Sequence, residues 1–372
     1  MAARLSDLAR SWRCSSVGSE CTLHQLAPYI GKLKTTLAGS LIECYSRKQD
    51  TIIDPFCGSG VVPLEALLRQ RSTIAGDINP YAAVLTRAKL FPETDVWHAL
   101  GRATEYVTRA KTLARRKRYR VAAPRWVRRF FHAKTLAEVK TLADLLRKNK
   151  EWFLLANLLG ILHHQRPGFL SYPCSHLVPY LRQQKFPKTK FPDMYRYRDT
   201  EPRLIAKLLR TYSRFEPATL HSRRSFRQHA ISQLRLRSKA TVAITSPPYM
   251  NALDYGRDNR LRLWFLGVRS HLKLDAALPS DEEAFSHLME VTAKKLRTHL
   301  SSSGKAILVV GEVRRSRRRM KTNQIVRSAF ETKVGGWKLV DEITDAVPDV
   351  RRSRRSCRGT KREWVMVFAK IK

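Results

Sequence analysis

Four consecutive residues, Ser246-Pro247-Pro248-Tyr249, follow the apolar run Val242-Ala243-Ile244 and carry the most specific chemical signal in the chain. Each proline lacks an N–H and fixes its own φ, so the pair can extend neither a sheet ladder nor a helix interior. The result is a stiff loop that offers a hydroxyl, carbonyl oxygens without local partners, and a flat ring. Those groups suit an exocyclic amine on a planar base: the oxygens accept its N–H hydrogens and the tyrosine stacks on the ring. Such an amine is conjugated and barely nucleophilic. Fixing its hydrogens on acceptors helps the lone pair leave conjugation and face an electrophilic methyl. Transfer is then direct, without a covalent enzyme intermediate. A base inside a duplex cannot reach such a loop and must be flipped out.

A second constellation is Asp54-Pro55-Phe56-Cys57-Gly58-Ser59-Gly60, which follows a short β-branched run and precedes "VVPLEALL", a helix expected to open near Pro63. Glycines at such a turn let the backbone bend tightly and approach a ligand closely. Alone, Gly-x-Gly is explained as well by an ordinary strand–helix turn. Asp77 adds weight, because it ends the next strand-like run, where a ribose-binding acid belongs. One carboxylate holds two adjacent hydroxyls well. Capping the helix that starts near Pro80 is the alternative role for Asp77, and the two are compatible. Gly-x-Gly-x-x-Gly is incomplete and Gly-Lys-Ser/Thr is absent, so the expected ligand has a ribose and no phosphate. S-adenosylmethionine is the foremost candidate.

These residues need a scaffold. Leu37, Leu41, Ile42 and Tyr45 recur at helical spacing, and strand-like runs follow at 51–53, at "STIAGD", at 241–245, 305–312, 338–344 and 363–370. Helix alternating with strand favours the parallel α/β class. Ligands of open α/β sheets bind beyond the carboxyl ends of strands, so Gly58 and Pro247 are expected to edge one crevice. Between 95 and 225 the pattern turns helical, with Leu136, Val139, Leu142, Leu145 and Leu146 on one apolar face. The expected organisation is therefore 1–94 as the first part of the α/β domain with the cofactor loop, 95–225 as a largely helical insertion for target recognition, and 226–372 as the second part with the catalytic loop. Ser280 with Glu283 has capping-box spacing ahead of a helix carrying Phe285, Leu288, Met289 and Leu296.

The chain of 372 residues has 71 Lys+Arg against 31 Asp+Glu, a net charge of +40. So large an excess costs self-repulsion unless a polyanion neutralises it, so nucleic acid is the expected partner and an acidic membrane surface a distant second. The runs containing Arg314, Arg315, Arg317, Arg318 and Arg319, and Arg351, Arg352, Arg354 and Arg355, are candidates for binding phosphates, with solvated loops as the alternative. "KFPKTKFPDMYRYR" mixes cations with rings, suited to stacking or to packing the insertion. The longest apolar run, 152–162, is too short to span a bilayer and reads as a buried helix. No signal-peptide core is visible, and six dispersed cysteines suit a reducing compartment, so a cytoplasmic location is expected. No metal site is expected: the cysteines lack paired spacing, and His163, His164 and His176 lack accompanying ligands. Cys57 reads as packing and Cys174 as incidental.

"DPFCGSG", "GDINP" and "TSPPYMNALDYGRDNRLRLWFLG" together resemble the amino-methylating DNA methyltransferases, which act on cytosine-N4 or adenine-N6. "HQLAPYIGKLKTTLAGSLI", the segment from Leu170 to Asp199 and the closing segment from Gly335 are similar to the same family, so the likeness covers nearly the whole chain. The Ser-Pro-Pro-Tyr form is typical of the cytosine-N4 branch, whereas the adenine branch more often carries Asp or Asn first. The resemblance implies a Rossmann-like S-adenosylmethionine-dependent methyltransferase sheet with helices on both faces. It implies double-stranded DNA as substrate, with a cognate restriction endonuclease as a candidate partner. It places Asp54, Phe56, Gly58, Gly60 and Asp77 in the cofactor site, Tyr29 and Lys32 beside it, and Ser246, Pro247, Pro248 and Tyr249 at the target base. One departure stands out. The family often has an acid before the catalytic strand, touching the cofactor adenine, and "SFRQHAISQLRLRSKATVAI" contains none. Adenine-N6 methylation, an RNA substrate and a non-catalytic DNA-binding protein on a decayed fold are the rival readings; the intact loops argue against decay.

Overall fold

A computed structural model describes residues 20–164, 168–173, 186–215, 220–248, 250, 255–315, 318–347 and 361–371. The apolar runs become strands β1 (Thr51–Asp54), β2 (Ser72–Gly76), β4 (Ala240–Thr245) and β5 (Leu300–Gly311), and the polar segment "RSFR", where no strand was expected, forms β3 (Arg224–Arg227); all five are parallel. β6 (Val313–Arg315) and β7 (Arg318–Met320) form a separate antiparallel hairpin. β8 (Trp337–Val347) and β9 (Lys361–Lys370) complete a seven-stranded sheet of order β3-β2-β1-β4-β5-β9-β8, in which β9 runs antiparallel to both neighbours.

Parallel strands are covered on both faces, which is why these runs are continuously apolar instead of alternating. The two-residue period still sorts them. Ile52, Val242, Ile244, Ile307 and Val309 pack with Leu37, Leu41 and Ile42 of α1 (Thr35–Tyr45) and Val62 and Ala66 of α2 (Val61–Leu68). Ile53, Ala243, Ala306, Leu308 and Val310 belong to the core built with Phe285, Met289 and Leu296, Phe330 and Trp337. The expected Rossmann-like sheet with helices on both faces is observed.

The helices after β2 make the third core: α3 (Pro80–Leu90), α4 (Val96–Arg116), α5 (Ala133–Lys148), α6 (Trp152–Ile161) and α7 (Thr200–Tyr212). Along α5, Leu136, Val139, Leu142 and Leu146 are buried and Leu145 is partly so, as the stripe predicts. α6 is apolar all round and its residues 153–161 are buried accordingly. Among the described residues no helix is long and apolar enough to cross a membrane.

Three local expectations shift. α2 opens at Val61, with Gly60 as its N-cap and Pro63 within the first turn, where a missing N–H costs little. The cap of α3 is Asn79, whose Oδ1 accepts the Tyr81 N–H at 2.9 Å, so Asp77 is released from that role. α8 (Glu282–His299) is capped by Asp281, which accepts the Ala284 N–H at 2.9 Å, while Ser280 donates to the same carboxylate at 2.7 Å. The carboxylate outcompetes the neighbouring hydroxyl because it also meets the positive end of the helix dipole.

Candidate active site

The winding direction reverses between β1, whose other neighbour is β2, and β4, whose other neighbour is β5. Beyond the carboxyl ends of these strands lies a cleft of about 1100 Å³, its open mouth included. Its rim follows the strand order: His229 to Ile231 after β3, Asp77 to Asn79 after β2, the glycine turn after β1, Ser246 and Pro248 after β4. Tyr29 and Lys32 close one side, and Tyr255, Leu274, Leu278 and Leu288 another.

The glycine turn is fixed by its backbone. Gly58 and Gly60 have φ of 49° and 74°, and a Cβ at Gly60 would lie 2.7 Å from Thr86 Oγ1 and 3.1 Å from Thr86 Cα. Only glycine adopts this left-handed conformation against so close a neighbour. The Cys57 N–H donates to Gly76 O at 3.0 Å, tying the turn to β2. The Cys57 thiol is buried, lies 3.4 Å from Thr86 Oγ1, and is pushed up by burial, which makes it packing and not a nucleophile.

Asp77 stands just past β2 and binds the turn from the side: Oδ2 accepts the Gly58 N–H and Oδ1 the Asn79 N–H, both at 2.8 Å. Each carboxylate oxygen has a second lone pair, so two ribose hydroxyls still find acceptors. Burial pushes this carboxyl up to about 6, with backbone N–H bonds pulling the other way. Asp54, at the end of β1, accepts the Thr245 hydroxyl at 2.6 Å and the Phe56 N–H at 3.3 Å through Oδ1, and burial pushes it up to about 7. It thus ties the glycine turn to the residue before Ser246. Tyr29 lies with its ring centroid 6.3 Å from that of Tyr255, and burial holds its phenol well above the usual range. The Lys32 ammonium donates to His24 O at 3.0 Å and lies 3.5 Å from Glu20.

The target loop presents a different chemistry. Ser246 Oγ donates to Val309 O at 3.0 Å, so toward any other donor it acts as an acceptor. Pro247 is buried while Pro248 faces the cleft. Met250, 2% exposed, anchors the far end of the loop in the core around Phe285. Asp275 accepts the Gly256 and Arg257 N–H groups at 2.6 and 3.1 Å, holding the turn that carries Tyr255. Arg262 reaches across to Leu159 O and His163 O, both at 3.3 Å, at the carboxyl end of α6.

Of the residues singled out from sequence, Tyr29, Lys32, Asp54, Phe56, Gly58, Asp77, Ser246 and Pro248 line this one cleft. Gly60 lies behind it as the α2 cap, and Pro247 is not among the lining residues. Tyr249 lies outside the described residues, as do Arg317, Arg351, Arg352, Arg354, Arg355, Cys174 and His176. Arg314, Arg315, Arg318 and Arg319 fall on β6 and β7, whose register sets Arg314 opposite Arg319 and Arg315 opposite Arg318. The cleft also draws on Ser59, His229, Tyr255, Leu274 and Leu278, which sequence reasoning did not assign. Ser59 Oγ is buried there without a hydrogen-bond partner, a group that a bound ligand would satisfy.

Residues 25–124 match a family model described as an RMKL-like methyltransferase domain. That stretch contains Tyr29, Lys32, Asp54, Phe56, Gly58, Gly60 and Asp77, the whole cofactor-side set. The sheet is the Rossmann-like one of S-adenosylmethionine-dependent methyltransferases, and the matched stretch supplies the β1–β2 side of the cleft. Among solved structures, TrmN from Thermus thermophilus is 12% identical, with 94% of this chain and 52% of that one covered and a TM-score of 0.39. The chain therefore spans about half the length of TrmN. The rRNA methyltransferase AviRa from Streptomyces viridochromogenes is 15% identical over 99% of this chain and 94% of that one, TM-score 0.32. An S-adenosylmethionine-dependent methyltransferase from Methanosarcina mazei is 11% identical over 89% and 97%, TM-score 0.36. No curated protein matches the chain by sequence.

Proposed function

We propose that this chain methylates the exocyclic amine of a flipped nucleobase, cytosine N4 in DNA, with S-adenosylmethionine as donor. The observation that carries the reading is Ser246 Oγ, which shares a cleft with Asp77 and has its hydrogen directed at Val309 O. A hydroxyl held that way accepts an amine hydrogen without offering one in return. Bound S-adenosylmethionine supplies an electrophilic methyl. Asp77 holds the ribose hydroxyls, and the Gly58 turn leaves room for close approach. Ser246 Oγ accepts an amine hydrogen, and Tyr249 stacks on the base. Leu274, Leu278 and Leu288 give the cleft an apolar wall that excludes water.

The polyanion reading gains support from the β6–β7 hairpin. Like charges directly opposite each other destabilise a strand pair, and this register opposes arginine with arginine twice. Four arginines on two paired strands suit a phosphate backbone laid along the hairpin. Serine at the head of the loop favours the cytosine-N4 branch. Mass spectrometry of nucleosides, after incubating DNA and RNA with the protein and labelled cofactor, tests the proposal. N4-methylcytosine in DNA is the expected product. N6-methyladenine overturns the choice of base, label in RNA alone overturns the substrate, and cofactor binding without any product overturns catalysis.

A further inference from the structure

We infer that His229 reads the purine of the cofactor, accepting its 6-amino group where the chain carries no carboxylate. The inference rests on the methyltransferase reading of the cleft and is independent of which nucleobase is methylated.

The strand order sets the direction in which the cofactor lies. Its ribose is held at Asp77, beyond β2, and its methyl must face Ser246, beyond β4. The sulfonium arm leaves the ribose at one end and the purine at the other. With the arm directed toward β4, the purine points the opposite way, over the end of β3, which pairs in parallel register with β2. The wall there consists of His229, Ala230 and Ile231. Between Phe226 and Val242 the chain has no Asp or Glu, so the side chain able to meet the purine edge from this wall is His229.

Its hydrogen-bonding state follows from one neighbour. His229 Nδ1 lies 2.9 Å from Ala230 O. A carbonyl oxygen can only accept, so Nδ1 carries the hydrogen and the neutral ring keeps a lone pair on Nε2. That lone pair suits an adenine amine, which donates, and opposes a 6-oxopurine, which accepts. The turn bearing the ring is pinned: Gln228 Nε2 donates to Ile78 O at 3.4 Å, and the Ala230 N–H donates to Gln233 Oε1 at 3.3 Å. A Cβ at Gly76 would lie in ordinary contact with His229 Cε1, at 3.4 Å, which places the ring against the end of β2.

Calorimetry with S-adenosylhomocysteine and S-inosylhomocysteine, which differ at purine position 6 and in the N1 hydrogen that the 6-oxo form carries, tests the assignment without turnover. The intact protein should bind the adenosyl compound at least tenfold more tightly. His229→Ala should weaken the adenosyl compound about tenfold and erase the preference, about 1.4 kcal/mol for that factor. His229→Asp, which restores an acceptor, should restore the preference. A preference that survives in His229→Ala overturns the role of His229 alone. Binding of neither compound by the intact protein overturns the methyltransferase reading itself.

Discussion

The two halves of the cleft rim are built from different materials. The β1–β2 half carries two carboxylates, both spoken for by main-chain N–H groups or a neighbouring hydroxyl, around a turn with two left-handed glycines. The β3–β4 half carries no carboxylate; its lining residues include the Ser246 hydroxyl and the His229 ring. Charge therefore sits where a ligand must be held, and neutral acceptors sit where one must be oriented. A fixed negative charge holds ribose hydroxyls strongly through charge-assisted bonds. A neutral acceptor can direct an amine's hydrogens without competing for the methyl. Damage to the first half, or to His229 at the purine end of the second, should thus appear in binding, and damage to Ser246 and its loop in rate.

Asp77→Ala should break the comparison hardest. It removes both ribose acceptors and orphans the Gly58 and Asn79 N–H groups, each worth about 1–3 kcal/mol. Calorimetry should show cofactor affinity weakened by about a hundredfold or more, and an unchanged Kd would remove Asp77 from the ribose. On the other half, Tyr249→Ala and Ser246→Ala should each slow single-turnover methyl transfer, the former by the roughly 1–3 kcal/mol of one base stack. Cofactor Kd should stay within about twofold of the intact protein in both. Equal losses of rate and affinity would dissolve the division of labour.

Protonation sharpens the same contrast. The Asp77 carboxyl is pushed up to about 6, and only its ionised form offers both oxygens as charged acceptors. Cofactor affinity should fall as the pH drops from about 7 to about 5, with the decline absent in Asp77→Asn. Asp54, which burial pushes up to about 7, acts on the fold instead. Its folded form binds a proton more tightly than its unfolded form. The stability it contributes is full below the ordinary carboxylate range, about pH 4, and is lost as pH rises through about 7. Thermal melts of Asp54→Asn should lack that descent. The smallest effect belongs to the hairpin. Neutralising Arg314, Arg315, Arg318 and Arg319 should weaken binding to all duplex sequences alike. The slope of log affinity against log salt should flatten by about 0.9 for each phosphate the protein no longer neutralises. Weakening confined to one sequence would mean that the hairpin reads bases.

How much of this was legible depended on distance along the chain. The glycine turn and Asp77 are separated by one helix and one strand, so their meeting could be read directly. The two prolines declare a rigid loop by chemistry alone. β3 was not legible, because "RSFR" is short, polar and at an edge, with only alternate residues partly buried. Without β3 beside β2, nothing in the sequence brings His229 to Asp77 across the whole helical insertion. Tyr255 stood inside the segment that opens with the two prolines, yet its place on the cleft wall is set by Asp275, a helix away. The β6–β7 hairpin was hidden likewise, since runs of arginine have no strand signature. Ser280 against Asp281 shows the finer limit, where two adjacent capping residues compete and one hydrogen bond decides.

The placement of β9 between β5 and β8 reaches into the life of the chain on the ribosome. Synthesis is vectorial, so β5 and β8 emerge before the strand that joins them. Until then each presents an unpaired inner edge, that of β5 within the apolar run from Ala306 to Val310, an invitation to pair with another nascent chain. The cleft residues all precede β9, but both cores flanking the parallel strands are completed by it: Val365 and Val367 join the core of α1 and α2, and Trp364, Met366 and Phe368 the core around Phe285. A chain lacking β9 would therefore carry its cofactor residues on a sheet whose two cores are both unfinished, and a chaperone would find its target at the β5–β8 gap.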